Sequence, residues 1–213
     1  MSKVRLSKVM SERGMCSRRE ADQYIEEGVV RVDGELVTEL GTKIDPDAKI
    51  TLDYEKENIS IAFYKPLGIV STQPEKGYET AVDLLEGQLP LEKLSPCGRL
   101  DIDSQGLMIF TTDGALAKAI IGENSPIDKE YLIRLDREAT DEQIDALRFG
   151  IFLDDKPLKK AIVTRNGTCR LKMTLVEGKK RQIRRMCDVV GLHVAGLPRI
   201  RIGPVHLGDL KPA

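Results

Sequence analysis

With 213 residues, 41% of them hydrophobic and 31% charged, and a formal net charge of −1, the chain has the composition of a globular protein rather than of a disordered or membrane-embedded one. The near-zero charge excludes a uniformly basic nucleic-acid binder, although local clustering is what a polyanion senses. No apolar run approaches the about 18 residues of a membrane span, and Met1–Met10 lacks a secretory apolar stretch, so a cytoplasmic protein without membrane contact is expected. Cys16, Cys97, Cys169 and Cys187 lie far apart without a C-x-x-C pair, which fits reduced thiols better than a disulfide framework or zinc site.

The first element reads as a helix from about Arg5 to Arg13, with Leu6, Val9 and Met10 on one face and Arg5, Lys8 and Arg13 on the other. Ser17-Arg18-Arg19-Glu20 has capping-box spacing and opens a second helix, whose stripe is Ala21, Tyr24 and Ile25 and whose stop is Gly28. Two apolar runs then flank Asp33-Gly34, a dipeptide suited to tight hairpins. Asp45-Pro46-Asp47 is turn chemistry, Lys49 to Asp53 a short strand, and Tyr54 to Asn58 a charged connector that divides residues 1–56 from 59–213.

Beyond it, short β-rich runs follow at Ile59 to Tyr64, Leu107 to Thr111, Tyr131 to Leu135, Ala161 to Thr164 and Cys169 to Val176. Asp141 to Phe149 and Arg181 to Val190 read as helices. The expected fold class is α+β, a helix-helix-hairpin module followed by a domain built on a mainly antiparallel or mixed sheet.

Two stretches carry unusual chemistry. Gly98-Arg99-Leu100-Asp101-Ile102-Asp103-Ser104 packs an arginine and two acids into a Gly-bounded segment before an apolar strand, as a catalytic loop or as a turn whose Arg99 and Asp101 are solvated or paired. From Arg165 to Arg185 there are eight Lys or Arg against one acid, Glu177, and several of these cations crowd a helix start where they oppose its dipole. A phosphate backbone or an internal carboxylate would resolve that conflict. Gly178-Lys179-Lys180 lacks the frame of a nucleotide P-loop, and no hydrolase elbow or zinc-protease helix is present.

Together these stretches resemble the pseudouridine synthases of the RsuA/RluF type. Lys65-Pro66-Leu67-Gly68, Gly98-Arg99-Leu100-Asp101, Lys129-Glu130-Tyr131-Leu132 and Arg181-Gln182-Ile183-Arg184-Arg185-Met186 match that family's motifs in order, and the first 55 or so residues resemble its S-four RNA-binding domain. Ser104-Gln105, Glu130-Tyr131-Leu132 and Thr140-Asp141 are closer to the RluF branch; Tyr64 departs from the usual Asn, and relatives continue beyond the position of Ala213 with a polar tail.

The resemblance implies a cofactor-free monomer that detaches uracil from its ribose in structured RNA and rejoins it through C5, with large-subunit ribosomal RNA the expected substrate and tRNA a further candidate. It assigns Asp101 as the catalytic carboxylate, Arg184 as its ionic partner, and Tyr131 as the ring stacked on the target base. Arg99 would fill the space of the extruded base, with Lys65, Arg181, Arg185 and Leu197 as further substrate contacts. In the small module Arg5, Lys8, Arg13, Arg18 and Arg19 would meet RNA. His193 and His206 match no catalytic spacing. A non-catalytic RNA-binding protein is the competing reading, against which stands a carboxylate facing an anionic ligand.

Overall fold

The computed structural model describes residues 3–53, 58–72, 77–85 and 94–213. Most of the charged connector expected at 54–58 lies outside the described residues. The first unit comprises β1 (Val4–Arg5), α1 (Leu6–Glu12), α2 (Arg18–Glu26), β2 (Val30–Val32), β3 (Glu35–Val37), β4 (Lys43–Ile44) and β5 (Ile50–Leu52). Both halves of the capping box at α2 form: Ser17 Oγ accepts from Glu20 N at 3.3 Å and Glu20 Oε2 accepts from Ser17 N at 3.0 Å. The hairpin turn places Asp33 at φ +50° and Gly34 at φ +89°, the pair of left-handed residues that the tightest turn requires. Leu6, Val9 and Met10 meet Ala21, Tyr24, Ile25, Val30 and Val32 in one core.

The second unit runs through β6 (Ser60–Lys65), a 3-10 turn at Asp83–Leu85, β7 (Ser95–Pro96), β8 (Gln105–Thr111), α3 (Gly114–Ile121), β9 (Lys129–Leu135) and α4 (Asp141–Arg148). It continues with β10 (Phe152–Leu153), β11 (Lys156–Pro157), β12 (Ile162–Arg165), β13 (Arg170–Leu175), α5 (Gln182–Val189), β14 (Val194–Gly196), β15 (Pro198–Ile202) and β16 (Val205–His206). Among the described residues nine strands form one sheet in the order β12-β13-β9-β15-β8-β6, with β14 on β9, β16 on β15 and β7 on β8. Its pairings are antiparallel except for β15 with β8, a short parallel contact with Pro198 opposite Gln105 and Arg199 opposite Gly106. That contact joins two antiparallel halves.

β8 is buried on both faces, which is why it reads as a continuous apolar run. Met108 and Phe110 pack with Phe63, Leu85 and Leu100 on one side, while Leu107 and Ile109 meet Ile120 and Ile202 on the other. α3, absent from the sequence reading, is capped by Asp113, whose Oδ1 accepts from Ala115 N and Leu116 N at 2.8 and 3.1 Å. Lys118 on α3 donates to Ser11 O of the first unit at 2.7 Å. The far half of the sheet shares a larger core with α4 and α5, and Tyr131 packs against both this core and the one containing Leu100. Among the described residues no helix is long and apolar enough to cross a membrane.

The two halves can approach only because residue 106 has no side chain. Gly106 sits at φ +110°, and a Cβ there would lie 2.3 Å from Arg199 O and 2.6 Å from Arg199 N. Gly106→Ala combines a wrong-handed backbone with a main-chain clash and should cost about 3 kcal/mol or more. Gly34→Ala, at φ +89° but with nothing within 4 Å of the new Cβ, should cost only about 1–2 kcal/mol. Urea midpoints of the two variants measure the difference, and equal shifts would contradict the seam described here.

Candidate active site at the seam of the sheet

The acid-bearing segment before β8 is held by its main chain. Every carbonyl from residue 99 to residue 104 accepts a hydrogen bond, from donors scattered over the domain. Arg99 O takes Arg199 Nη1 at 3.4 Å and Leu100 O takes Ser71 Oγ at 2.6 Å. Asp101 O takes Ser104 N at 3.0 Å and Ile102 O takes Gly68 N at 2.9 Å. Asp103 O takes Arg184 Nη2 at 2.6 Å and Ser104 O takes Lys65 Nζ at 2.8 Å. Buried peptide carbonyls left without donors are costly, so this set fixes one backbone path. The Asp101 carboxylate, by contrast, accepts no hydrogen bond among the described residues and is half-buried.

Arg184 does not meet Asp101 as expected. Two of its nitrogens donate elsewhere, Nη1 to Val194 O at 3.1 Å and Nη2 to Asp103 O, while the buried Nε stands 3.3 Å from Asp103 Oδ2 as an ion pair without a hydrogen bond. Asp103 is instead the anionic hub, gripped by both arms of Arg181 at 3.0 and 2.8 Å. The bond to Arg181, reinforced by the charge of Arg184, holds the Asp103 carboxyl below the usual carboxylate range. Both partners of the Arg181 pair are 41% exposed, so the pair contributes at most about 1 kcal/mol; what it supplies is geometry. It also accompanies an unusual backbone, for Arg181 caps α5 at φ +51°, in the left-handed region.

Lys65, expected at the substrate, is wholly buried beneath the segment and donates to Ser104 O and to Pro66 O at 2.9 Å. Burial lowers its pKa to about 8, against the pull of the Asp101 and Asp103 carboxylates, which favour its charged form. The Asp101 carboxylate in turn favours the charged forms of Lys65 and Arg181.

The remaining expected residues divide. Arg99 is exposed, while Leu197 is buried in the far core with its carbonyl 3.5 Å from Gln105 N. Arg185, expected on RNA, makes a two-armed pair with Asp154 at 3.0 and 2.6 Å, and Arg165 pairs with Glu138 and Asp141. Internal carboxylates therefore resolve much of the crowding of positive charge near α5. In the first unit Arg5, Arg18 and Arg19 are exposed and Lys8 stands 3.6 Å from Glu12. Arg13 is used within the fold, donating to Ala48 O at 2.7 Å and to Pro46 O. His193 and His206 are exposed.

Sequence reading missed Arg199 and Ser71. Ser71 Oγ both donates to Leu100 O and accepts from Leu100 N at 2.9 Å, acting as a surrogate strand neighbour. Arg199 is 4% exposed, and Nε donates to Leu107 O at 2.8 Å. No side-chain pattern marks either one.

The family model described as RNA pseudouridylate synthase matches residues 59–188, and that of the S4 domain matches residues 4–50. The chain is 37% identical to the dual-specificity RNA pseudouridine synthase RluF of Escherichia coli strain K12, over 98% of this chain and 73% of that protein. An uncharacterized RNA pseudouridine synthase of Aquifex aeolicus is 32% identical over 97% of this chain and 88% of its own length. A crystal structure of a pseudouridylate synthase superimposes with a TM-score of 0.72 at 28% identity, covering 98% of this chain and 93% of that one. The segment tied down at the seam of the sheet, and the module before it, are those of a chain that belongs to the RNA pseudouridylate synthase family.

Proposed function

We propose that this RNA pseudouridine synthase acts on a uridine of large-subunit ribosomal RNA, as a cytoplasmic monomer without cofactor, with Asp101 as its catalytic carboxylate. The observation that carries the reading is the contrast in the 99–104 segment: all its carbonyls are engaged while the Asp101 carboxylate accepts nothing from the described residues. A rigid main chain presenting an uncommitted carboxylate suits a group that must meet the substrate rather than the protein. The large-subunit target is what the resemblance to the RluF branch implies, carried by Ser104-Gln105, Glu130-Tyr131-Leu132 and Thr140-Asp141, and the 37% identity to the dual-specificity RNA pseudouridine synthase RluF supports that branch.

In the reaction the N1–C1′ bond breaks, the uracil turns, C5 bonds to C1′, the C5 proton is removed and N1 takes up a proton, so that the product is an isomer of the substrate. The ionised carboxylate of Asp101 has two routes: addition at C1′, or removal of the C2′ proton to form a glycal that is later reprotonated. Lys65 and Arg181 supply positive potential at that carboxylate. Tyr131, packed on the core that contains Leu100, is the ring assigned to the target base. Arg184 serves by holding Asp103 and its carbonyl, as a positioning residue. Arg99, which is exposed, is assigned to enter the stack that the uridine leaves, a step that costs a few kcal/mol.

Comparing pseudouridine positions in ribosomal RNA and tRNA from cells with and without the protein tests the substrate directly: a site in large-subunit RNA should vanish, and loss confined to tRNA would overturn that assignment. In the purified enzyme Asp101→Asn should reduce single-turnover rate by about a thousandfold or more while RNA affinity changes only a few-fold. Retained activity would remove Asp101 from its role. Asp103→Asn, which strips Arg181 and Arg184 of their shared anion, should lower the rate partially.

The buried ammonium predicts a pH dependence. As pH rises through about 8, Lys65 loses its charge and the single-turnover rate should fall. Stability follows the opposite course for this group: between about 8 and 10.5 the unfolded chain binds a proton at Lys65 that the folded chain does not, so this contribution grows with pH. Rates and far-UV circular dichroism measured together from about pH 7.5 to 9 should therefore show activity lost with the fold intact. Lys65→Met, lacking the titrating group, should show a low rate without that limb.

A further inference from the structure

Arg199 is a buried cation for which neither the sequence motifs nor the proposed chemistry has a use. Among the described residues it forms no ion pair, and its buried Nη2 has no hydrogen-bond partner. A charge in that state is held at a cost that an apolar side chain of similar size would avoid. Its other nitrogens explain where it stands. Nε donates to Leu107 O and Nη1 to Arg99 O, so one guanidinium spans the two ends of the segment bearing Asp101. Its strand neighbours are Gly106 on one side and Tyr131 on the other. It thus links the strand that carries the ring assigned to the base with the main chain at Arg99.

We propose that Arg199 is a positioning residue for base extrusion: by clasping the segment at Leu107 and Arg99 it fixes the main chain from which the Arg99 side chain enters the RNA. The proposal rests on the assignment of Arg99 to that step. The planar guanidinium can serve both carbonyls at once; a lysine can serve one of them, and methionine neither.

The test uses the full chain and an RNA stem-loop carrying the uridine identified by the mapping, made in two forms. In one the uridine is paired and stacked; in the other it stands opposite an abasic site and is already unstacked. Under saturating enzyme and single-turnover conditions, Arg199→Met should be slowed about tenfold or more on the stacked RNA and by less than about threefold on the unstacked one. Arg199→Lys should recover part of that loss. Arg99→Ala should show the same selectivity, and the double variant should be no slower than Arg99→Ala alone, because the two act in series.

If Arg99→Ala slows both RNAs alike, the assignment of Arg99 falls and takes this proposal with it. If Arg99→Ala discriminates while Arg199→Met and Arg199→Lys slow both RNAs alike, or neither RNA, Arg199 is a structural residue only and the proposal is overturned. Thermal melting of each variant identifies one that does not fold, in which case the comparison is made with Arg199→Lys, whose indifference to stacking overturns the proposal equally.

Discussion

The structure depends on main-chain carbonyls that cannot be left bare. The segment from Arg99 to Ser104 runs through the seam between two antiparallel half-sheets, too irregular to borrow donors from a strand neighbour. Its carbonyls are satisfied instead by two arginines, a lysine, a serine and two backbone amides. One of the amides, Ser104 N, belongs to the segment itself; the other five donors come from β6 and the loop after it, from α5 and from β15, so forming the site requires that both half-sheets already be in place. Site and fold are therefore assembled by the same contacts.

The local parts of this fold were legible in the sequence, because local parts obey short-range rules. Ser17 and Glu20 are three apart and cap α2 as spacing says they should; Asp33-Gly34 turns the hairpin; the apolar run of β8 is buried on both faces. β15 was not legible. Its Pro-Arg-Ile-Arg-Ile alternation suggests exposed arginines, but a register shift between Arg199 and Arg201 breaks the period, burying Arg199 and leaving Arg201 on Asp128. The missed α3 opens on glycine and lacks a polar face to set its period, so only its Asp113 cap marked it.

The same distinction holds at the site. Motif resemblance singled out Asp101; the partner of Arg184 could not be read, since Asp101 and Asp103 are two residues apart and an arginine distant in sequence reaches either. Charge counting left two readings open in a related way, a phosphate backbone or internal carboxylates. Of the eight cations between Arg165 and Arg185, Arg165, Arg181 and Arg185 pair with Asp141, Asp103 and Asp154, so internal carboxylates answer for part of the cluster. A near-neutral chain hides such matching in its totals.

Because the grip on this segment is exerted on peptide groups, its own side chains are largely relieved of the duty of holding it in place. Lys65, Ser71, Arg184 and Arg199 bind whatever residue happens to own the carbonyl. A substitution at a position such as 102 can then be accepted without displacing the carboxylate, and the RNA-facing surface of the loop can change while its chemistry stays where it is. In such an architecture the residues that guarantee the reaction and those that choose the substrate are inherited separately, although they sit in one loop.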